Sequence, residues 1–363
     1  MDDFDQPSAS ALEIDEDLTL IERIERFCAS GALVQRLVHV KELSSCAEQV
    51  GVAEAVGRLV PLLRVIVCDP DLSVRQALAE QMIPFATLLL TEPDTRAPGE
   101  LSGDERGGLT AYECVLQELV PLLTSILGSG PQELSGAAAT NNLPLSEAAS
   151  DALLGLAGLI KPADVGETVL RAVLCLAHDN EIEENRVVAT QLLGSLAPVL
   201  GPELCRQYVL PDLVCLADDP AFRVRKAAAM RVGAVSTVVG PELTVAKLLP
   251  VFEVLARDEI WGVRKASVES LAQVAAVMPL DVRVGSLEKL MHEFHGDSSR
   301  WVRISACQAL GPFLATLPTE HISAELLALF TQLANPANPT AADSDLACQH
   351  PPCTGSGPPL VRT

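Results

Sequence analysis

The chain has 363 residues, of which 48% are hydrophobic but only 3% aromatic, and its formal net charge is −22. Its apolar mass is Leu, Val and Ala, which pack helices well and fill β-sandwich cores poorly. The charge argues against nucleic acid or an anionic membrane as a partner, since both reward Lys and Arg, and fits either simple solubility or a basic protein partner.

Residues 1–17 are acidic from Asp2 to Asp17 and are expected to be disordered; a signal or transit peptide would need basic residues there. The longest apolar run, about Ala152 to Ile160, is too short to cross a bilayer. The cysteines at 28, 46, 68, 114, 175, 205, 215, 307, 348 and 353 lie mostly in apolar stretches and show no disulfide clustering, which predicts a reduced, intracellular protein. The expected location is the cytoplasm, with the nucleus as a second compartment.

From residue 18 to 334 the pattern is helical and repeated. Helices A are expected to begin near 18, 52, 110, 165, 203, 242, 281 and 321, and helices B near 32, 71, 145, 183, 221, 260 and 300. Two Gly-, Pro- and Ser-rich stretches, 91–109 and 128–144, flank the third helix A and are expected to be long mobile loops. From 335 to 363 the composition turns to Pro, Ser and Gly, and a disordered tail is expected. The last helix carries Leu326, Leu327, Leu329, Phe330 and Leu333 with no helix B to cover them. The chain therefore reads as a shortened form of a longer array, whose last helix should fray or self-associate.

The repeat is explicit. Arg36 and Arg75 are 39 residues apart, as are Arg186, Arg225, Arg264 and Arg303 in turn. Asp69, Asp219, Asp258 and Asp297 each stand six residues before an arginine, and Val74, Val224, Val263 and Val302 directly precede one. Gly-Pro-Glu-Leu occurs at Gly201 and Gly240, and Leu-Val-Pro-Leu-Leu at Leu59 and Leu119. After each Val-Arg the apolar residues step by 4, 4, 3 and 4: Val224, Ala228, Val232, Val235, Val239; then Val263, Ser267, Leu271, Val274, Met278; then Val302, Ala306, Leu310, Phe313, Leu317. That is one face of an α-helix and no face of a strand. Helices A carry an interior proline at Pro61, Pro121, Pro211 or Pro250, where a kink is expected. Two helices in a period near 39 fall in the HEAT or armadillo range. The expected fold is all-α, a right-handed HEAT-repeat α-solenoid of about seven and a half helix pairs. The third unit departs from the pattern, with Leu145-Ser146 where Val-Arg should stand.

The stretches Phe222-Arg-Val-Arg-Lys-Ala, Trp261-Gly-Val-Arg-Lys-Ala and Arg300-Trp-Val-Arg-Ile-Ser-Ala, followed by Gln308-Ala-Leu-Gly-Pro-Phe, resemble the HEAT-repeat regulatory subunit 1 family of protein phosphatase 4. So does Ala197-Pro-Val-Leu-Gly through Leu210-Pro. The resemblance covers roughly residues 18 to 334 and is strongest from 197 to 313. It implies a scaffold that binds the catalytic subunit of a phosphatase 4-type Ser/Thr phosphatase and recruits phosphoprotein substrates, the catalytic metals belonging to that partner.

Two roles are open for the A–B turns. In the structural one, Asp of one unit bonds Arg of the next and ties the turns together, each exposed pair contributing about 0–1 kcal/mol. In the binding one, Phe222, Trp261 and Trp301 contact a partner, with one tryptophan packed inward because the two stand three and two residues before their arginines. Lys226, Lys265 and Arg300 add a local basic ridge to steer an acidic surface. The candidate partner-binding set is Phe222, Arg225, Lys226, Glu259, Trp261, Arg264, Lys265, Arg300, Trp301 and Arg303.

Enzyme readings are weak. His292-Glu293-Phe294-His295 misses the zinc-protease motif by one residue, and reads as polar residues ending a helix A. Cys348, His350 and Cys353 lack a fourth ligand, and Gly128-Ser-Gly is followed by no Gly-Lys-Ser/Thr. No catalytic residue, metal or cofactor is assigned. The function read from the sequence is a non-catalytic phosphatase scaffold that raises the effective concentration of substrate at the enzyme. Its rival is a HEAT-repeat transport or cytoskeletal adaptor without a phosphatase.

Overall fold

The computed structural model describes residues 18–98, 108–128 and 143–334. The acidic N-terminus, the tail with Cys348, His350 and Cys353, and most of the two insertions lie outside the described residues.

The fold is a HEAT-repeat α-solenoid: among the described residues seven A–B pairs follow one another, and the helix Ala324–Ala334 comes after them with no helix B described. The B helices are Leu33–Lys41 with Leu43–Val50, then Leu72–Leu89, Leu143–Leu159, Glu183–Leu204, Phe222–Val239, Trp261–Val277 and Arg300–Leu314. They pack mainly on one another along the array, while each A helix covers its own B helix and its neighbours. The stepped apolar residues form this seam. Val224, Ala228, Val232, Val235, Val263, Ser267, Leu271, Val274, Met278, Val302, Ala306, Leu310, Phe313 and Leu317 are all buried. The third unit keeps the same steps, with Leu145, Ala149, Leu153, Leu156 and Ile160 buried, although it lost its Val-Arg. One continuous core results, as a stacked array requires.

The prolines are not simple kinks. A π-helical turn precedes each: Ala55–Leu59 before Pro61, Val115–Leu119 before Pro121, Cys205–Val209 before Pro211, Thr244–Leu248 before Pro250. Widening the turn relieves the clash between the proline ring and the carbonyl one turn back. The same turn occurs at Gly166–Leu170 and Arg283–Leu287, where Ala172 and Lys289 hold the proline position. The helix A bulge therefore belongs to the packing of the unit, and proline settles into it.

Units are joined at the opposite end from the A–B turns. Gly51, Gly201 and Gly240 sit there at φ 84°, 74° and 83°, a region only glycine enters at little cost. In the last two, proline follows at the first helical position, which explains the repeated Gly-Pro-Glu-Leu. B helices also approach closely where they carry glycine. A Cβ built on Gly194 would lie 2.6–2.7 Å from Arg231 side-chain atoms, and one on Gly233 would lie 2.6–2.9 Å from Gln273.

The described start of the first insertion is tied down. The Ala111 and Tyr112 amides donate to the Thr95 and Pro93 carbonyls at 2.7 and 3.0 Å, and Ala97 and Pro98 pack over Gly57.

One stretch, Glu183–Leu216, is long and apolar enough to span a bilayer by length and composition, which the sequence reading did not anticipate. The chain turns at Gly201 inside it, and Leu193, Leu196, Leu200, Val209 and Leu213 are core residues on either side. Its apolar face is used inside the array.

Candidate functional site

Each B helix starts where a short turn leaves helix A, and the turn is closed by the repeated aspartate. Asp219 Oδ1 accepts from the Ala221 amide at 2.8 Å, Asp258 Oδ1 from Ile260 at 2.8 Å, and Asp297 Oδ1 from Ser299 at 2.7 Å. The arginine six residues later turns back, and its Nη1 donates to the aspartate's own carbonyl: Arg225 to Asp219 at 2.8 Å, Arg264 to Asp258 at 2.8 Å, Arg303 to Asp297 at 2.7 Å. The other edge of the guanidinium reaches into the following unit. Nε and Nη2 form a fork on the next aspartate in Arg36–Asp69, Arg186–Asp219, Arg225–Asp258 and Arg264–Asp297, with Nε–Oδ2 distances of 2.7 Å in all four.

This ladder corrects the expected direction. The arginine of one unit bonds the carboxylate of the next unit's aspartate and takes only the backbone carbonyl of its own. It also corrects the expected strength. The arginine side chains are 13–14% exposed and the aspartates 5–9%. Pairs this dry and bidentate leave an uncompensated buried charge when one partner is removed. Burial works to raise the Asp297 carboxyl, but hydrogen bonds from Arg264 and the Ser299 amide outweigh it and hold the group below its ordinary value. The hydrogen bonds to Asp258 raise the Arg225 guanidinium above its ordinary value.

The ladder is interrupted at unit three. The Nε of Arg75 is buried without a partner, and Thr140 stands six residues before Ser146. The fourth turn is one residue longer than the pattern. There Asp179 takes the closing role, accepting from the Glu181 and Ile182 amides at 2.8 and 2.9 Å and from Asn185 Nδ2 at 2.8 Å, so an asparagine stands in for the missing arginine.

Arg225 and Arg264 are thus structural members of the ladder. Arg303 has no carboxylate ahead of it among the described residues and bonds only the Asp297 and Ser298 carbonyls. The aromatic candidates behave differently. Phe222 and Trp261 are the first residues of their helices B and Trp301 the second of its own, and they are 45%, 47% and 49% exposed. Neither tryptophan packs inward, contrary to expectation. Positions two and three before the arginine both lie outside the seam that begins at Val263 and Val302.

The basic ridge is weaker than expected. Lys265 is paired with Glu269, one turn along its own helix. Arg300 lies over the Trp301 ring, 4.8 Å from its centroid, which presents the pair as one planar cationic–aromatic surface. Lys226 and Glu259 are exposed. The turn edge of units five to seven is therefore a row of three half-exposed aromatic rings, backed by a rigid ladder that fixes their spacing. Such a row supplies apolar and cation–π contacts.

Pairs outside the Asp–Arg ladder also join units and were not anticipated. Arg257 forks onto Glu293 at 2.8 and 3.0 Å, Arg58 onto Glu25 at 2.8 and 2.6 Å, and Arg223 reaches Glu184 at 2.7 Å. Glu293 is the acid of the His-Glu-Phe-His stretch, so the structure uses it to link units and not as a base.

No family model matches this sequence, and no curated protein matches it. Solved structures do. Kap95p, from a structure in which it switches the loops of RanGDP, superposes with a TM-score of 0.60 at 14% identity, over 86% of this chain and 37% of that one. Importin β in an ammonium sulfate condition gives 0.57 at 17%, over 86% and 38%. Kap121p bound to the extreme C-terminus of the protein phosphatase Cdc14p gives 0.51 at 13%, over 87% and 36%. These karyopherins are HEAT-repeat solenoids, and the likeness is one of fold. The chain spans less than two fifths of their length.

Proposed function

We propose that this chain is a non-catalytic, protein-binding HEAT-repeat adaptor that holds its partner along the turn edge of units five to seven. The observation that carries the reading is the row formed by Phe222, Trp261 and Trp301. Both tryptophans of the chain stand about half exposed at the starts of consecutive helices B, and Trp is the residue type most enriched at interface hot spots. The arginines between them are consumed by the ladder, so the rings and not the guanidinium groups meet the partner.

The fold likeness to Kap95p and importin β favours a transport-type adaptor, the rival reading of the sequence, over a phosphatase regulator. The phosphatase reading rests on sequence resemblance alone: Phe222-Arg-Val-Arg-Lys-Ala, Trp261-Gly-Val-Arg-Lys-Ala and Arg300-Trp-Val-Arg-Ile-Ser-Ala with Gln308-Ala-Leu-Gly-Pro-Phe, together with Ala197-Pro-Val-Leu-Gly through Leu210-Pro, are the stretches that resemble the phosphatase 4 regulatory family. Both readings are non-enzymatic and locate the protein in the cytoplasm or between cytoplasm and nucleus. Affinity purification of the intact chain, followed by mass spectrometry and by reconstitution from purified components, separates them. Transport factors and their cargo support the first. A phosphatase 4-type catalytic subunit that binds the purified chain directly supports the second and removes the first.

A further inference from the structure

A separate cluster lies where helix A of unit seven meets the last helix. Glu288 opens the helical segment Glu288–His295 and His292 follows it by one turn on the same face, while Glu325 enters from the first turn of Ala324–Ala334. One ligand atom from each of these residues lies within 4.8 Å of the other two. Glu288 is only 8% exposed, and its Oε2 has no hydrogen-bond partner. The buried Nε2 of His292 has none either. It stands 3.8 Å from Glu288 Oε1, beyond hydrogen-bond range. A buried carboxylate oxygen and a buried imidazole nitrogen left unsatisfied on residues one helical turn apart are expensive, and they point to a ligand at this cluster.

We propose that Glu288, His292 and Glu325 form a divalent transition-metal site, Zn²⁺ by its donor chemistry, that clamps the last helix to unit seven. One imidazole with two carboxylates suits Zn²⁺, whereas Ca²⁺ and Mg²⁺ take oxygen donors alone. Zinc bonds of about 2.0–2.2 Å require the donors to converge by roughly 1 Å. Glu325 is exposed and supplies that movement by changing rotamer, with Glu288 and His292 fixed on one helix. The fourth position faces the cleft lined by Glu325, His292, Gln332 and Leu329, which opens to solvent and admits a water. His295 lies outside the cluster and bonds the Met291 carbonyl through Nδ1 at 3.0 Å. The clamp acts on a thinly covered helix, since Leu327 and Phe330 are exposed and Leu326 is the one fully buried residue among its described side chains.

The test is titration of the full chain with Zn²⁺ alone, beside the variants Glu325→Gln and His292→Gln, with hydrogen exchange read across 324–334. Glu325 is exposed, so its variant keeps the fold. The expected result is one Zn²⁺ more on the parent chain than on either variant. Exchange in the last helix should slow by about tenfold when Zn²⁺ stands at ~10 times its Kd, in the parent only. Equal zinc uptake by all three chains assigns the metal elsewhere, such as Cys348, His350 and Cys353, and overturns the proposal. Site-specific uptake that leaves exchange in 324–334 unchanged overturns the clamp.

Discussion

Arg225 donates from Nε and Nη2 to both carboxylate oxygens of Asp258, at 2.7 and 3.2 Å, thirty-three residues further along the chain. The same arginine closes its own turn on the Asp219 carbonyl. One side chain therefore fixes a turn and a junction between units, which a shorter or single-donor side chain would not do.

Removing one partner of such a rung should be costly. Arg225→Ala is expected to destabilise the array by about 3–5 kcal/mol, because the Asp258 charge is left buried. Arg303→Ala removes only carbonyl bonds and should cost about 1 kcal/mol. Urea unfolding monitored by circular dichroism compares the two, and equal losses would show that the forward fork contributes nothing.

The aromatic row should be dispensable for folding and needed for binding. Trp261→Ala with Trp301→Ala is expected to change stability by less than about 1 kcal/mol and to weaken partner binding by at least about tenfold. Thermal melting and surface plasmon resonance on the partner recovered by purification give the two readings. Undiminished affinity in a folded double variant would remove the proposed edge.

The B helices should be intolerant of a side chain at one glycine and tolerant at another. Gly194→Ala places a carbon 2.6–2.7 Å from the Cβ, Cγ and Cδ of Arg231, and overpacking of this kind costs about 1–3 kcal/mol. Gly262→Ala meets no atom within 4 Å. In a helix that change should raise stability by about 0.5–1 kcal/mol. Melting temperatures of the two variants should move in opposite directions.

Acid should loosen the turns. Asp297 titrates below its ordinary value of 3.8 in the folded chain for the reasons given above. Asp179 is lowered by bonds from the Ile182 amide, the Asn185 side chain and the Glu181 amide. Each carboxylate binds its proton more readily when unfolded, so its stabilisation is complete above the unfolded value and is lost as pH falls through the folded one. The melting temperature should be flat near neutrality and drop below about pH 4. Asp297→Asn should lower stability at neutral pH and flatten part of that drop.

The repeat and its core were legible because both are periodic. The 4, 4, 3, 4 steps from Val224, Val263 and Val302 are a property of the helix, and every core position they name from Val263 onward is buried. The ladder was legible in its members but not in its direction. An aspartate six residues before one arginine is also thirty-three after the previous one, so a 39-residue repeat fits both pairings equally. Asp179 escaped because its turn has one residue more than the pattern. The inward tryptophan was misjudged because its offset from the arginine says nothing about where the buried seam begins. The Glu288–His292–Glu325 cluster was invisible, since Glu325 comes from a different helix and only the i, i+4 spacing of Glu288 and His292 was there to see.

The positive-φ glycines and the Arg–Asp rungs stand at opposite ends of antiparallel helices. Rotation between units is therefore expected at Gly201 and Gly240, whose φ only glycine adopts at little cost, with the rungs holding the far rim at constant pitch. A bound protein would thus meet its anchor points at a fixed stride whatever the curvature, as marks on the inextensible side of a bending strip keep their distance.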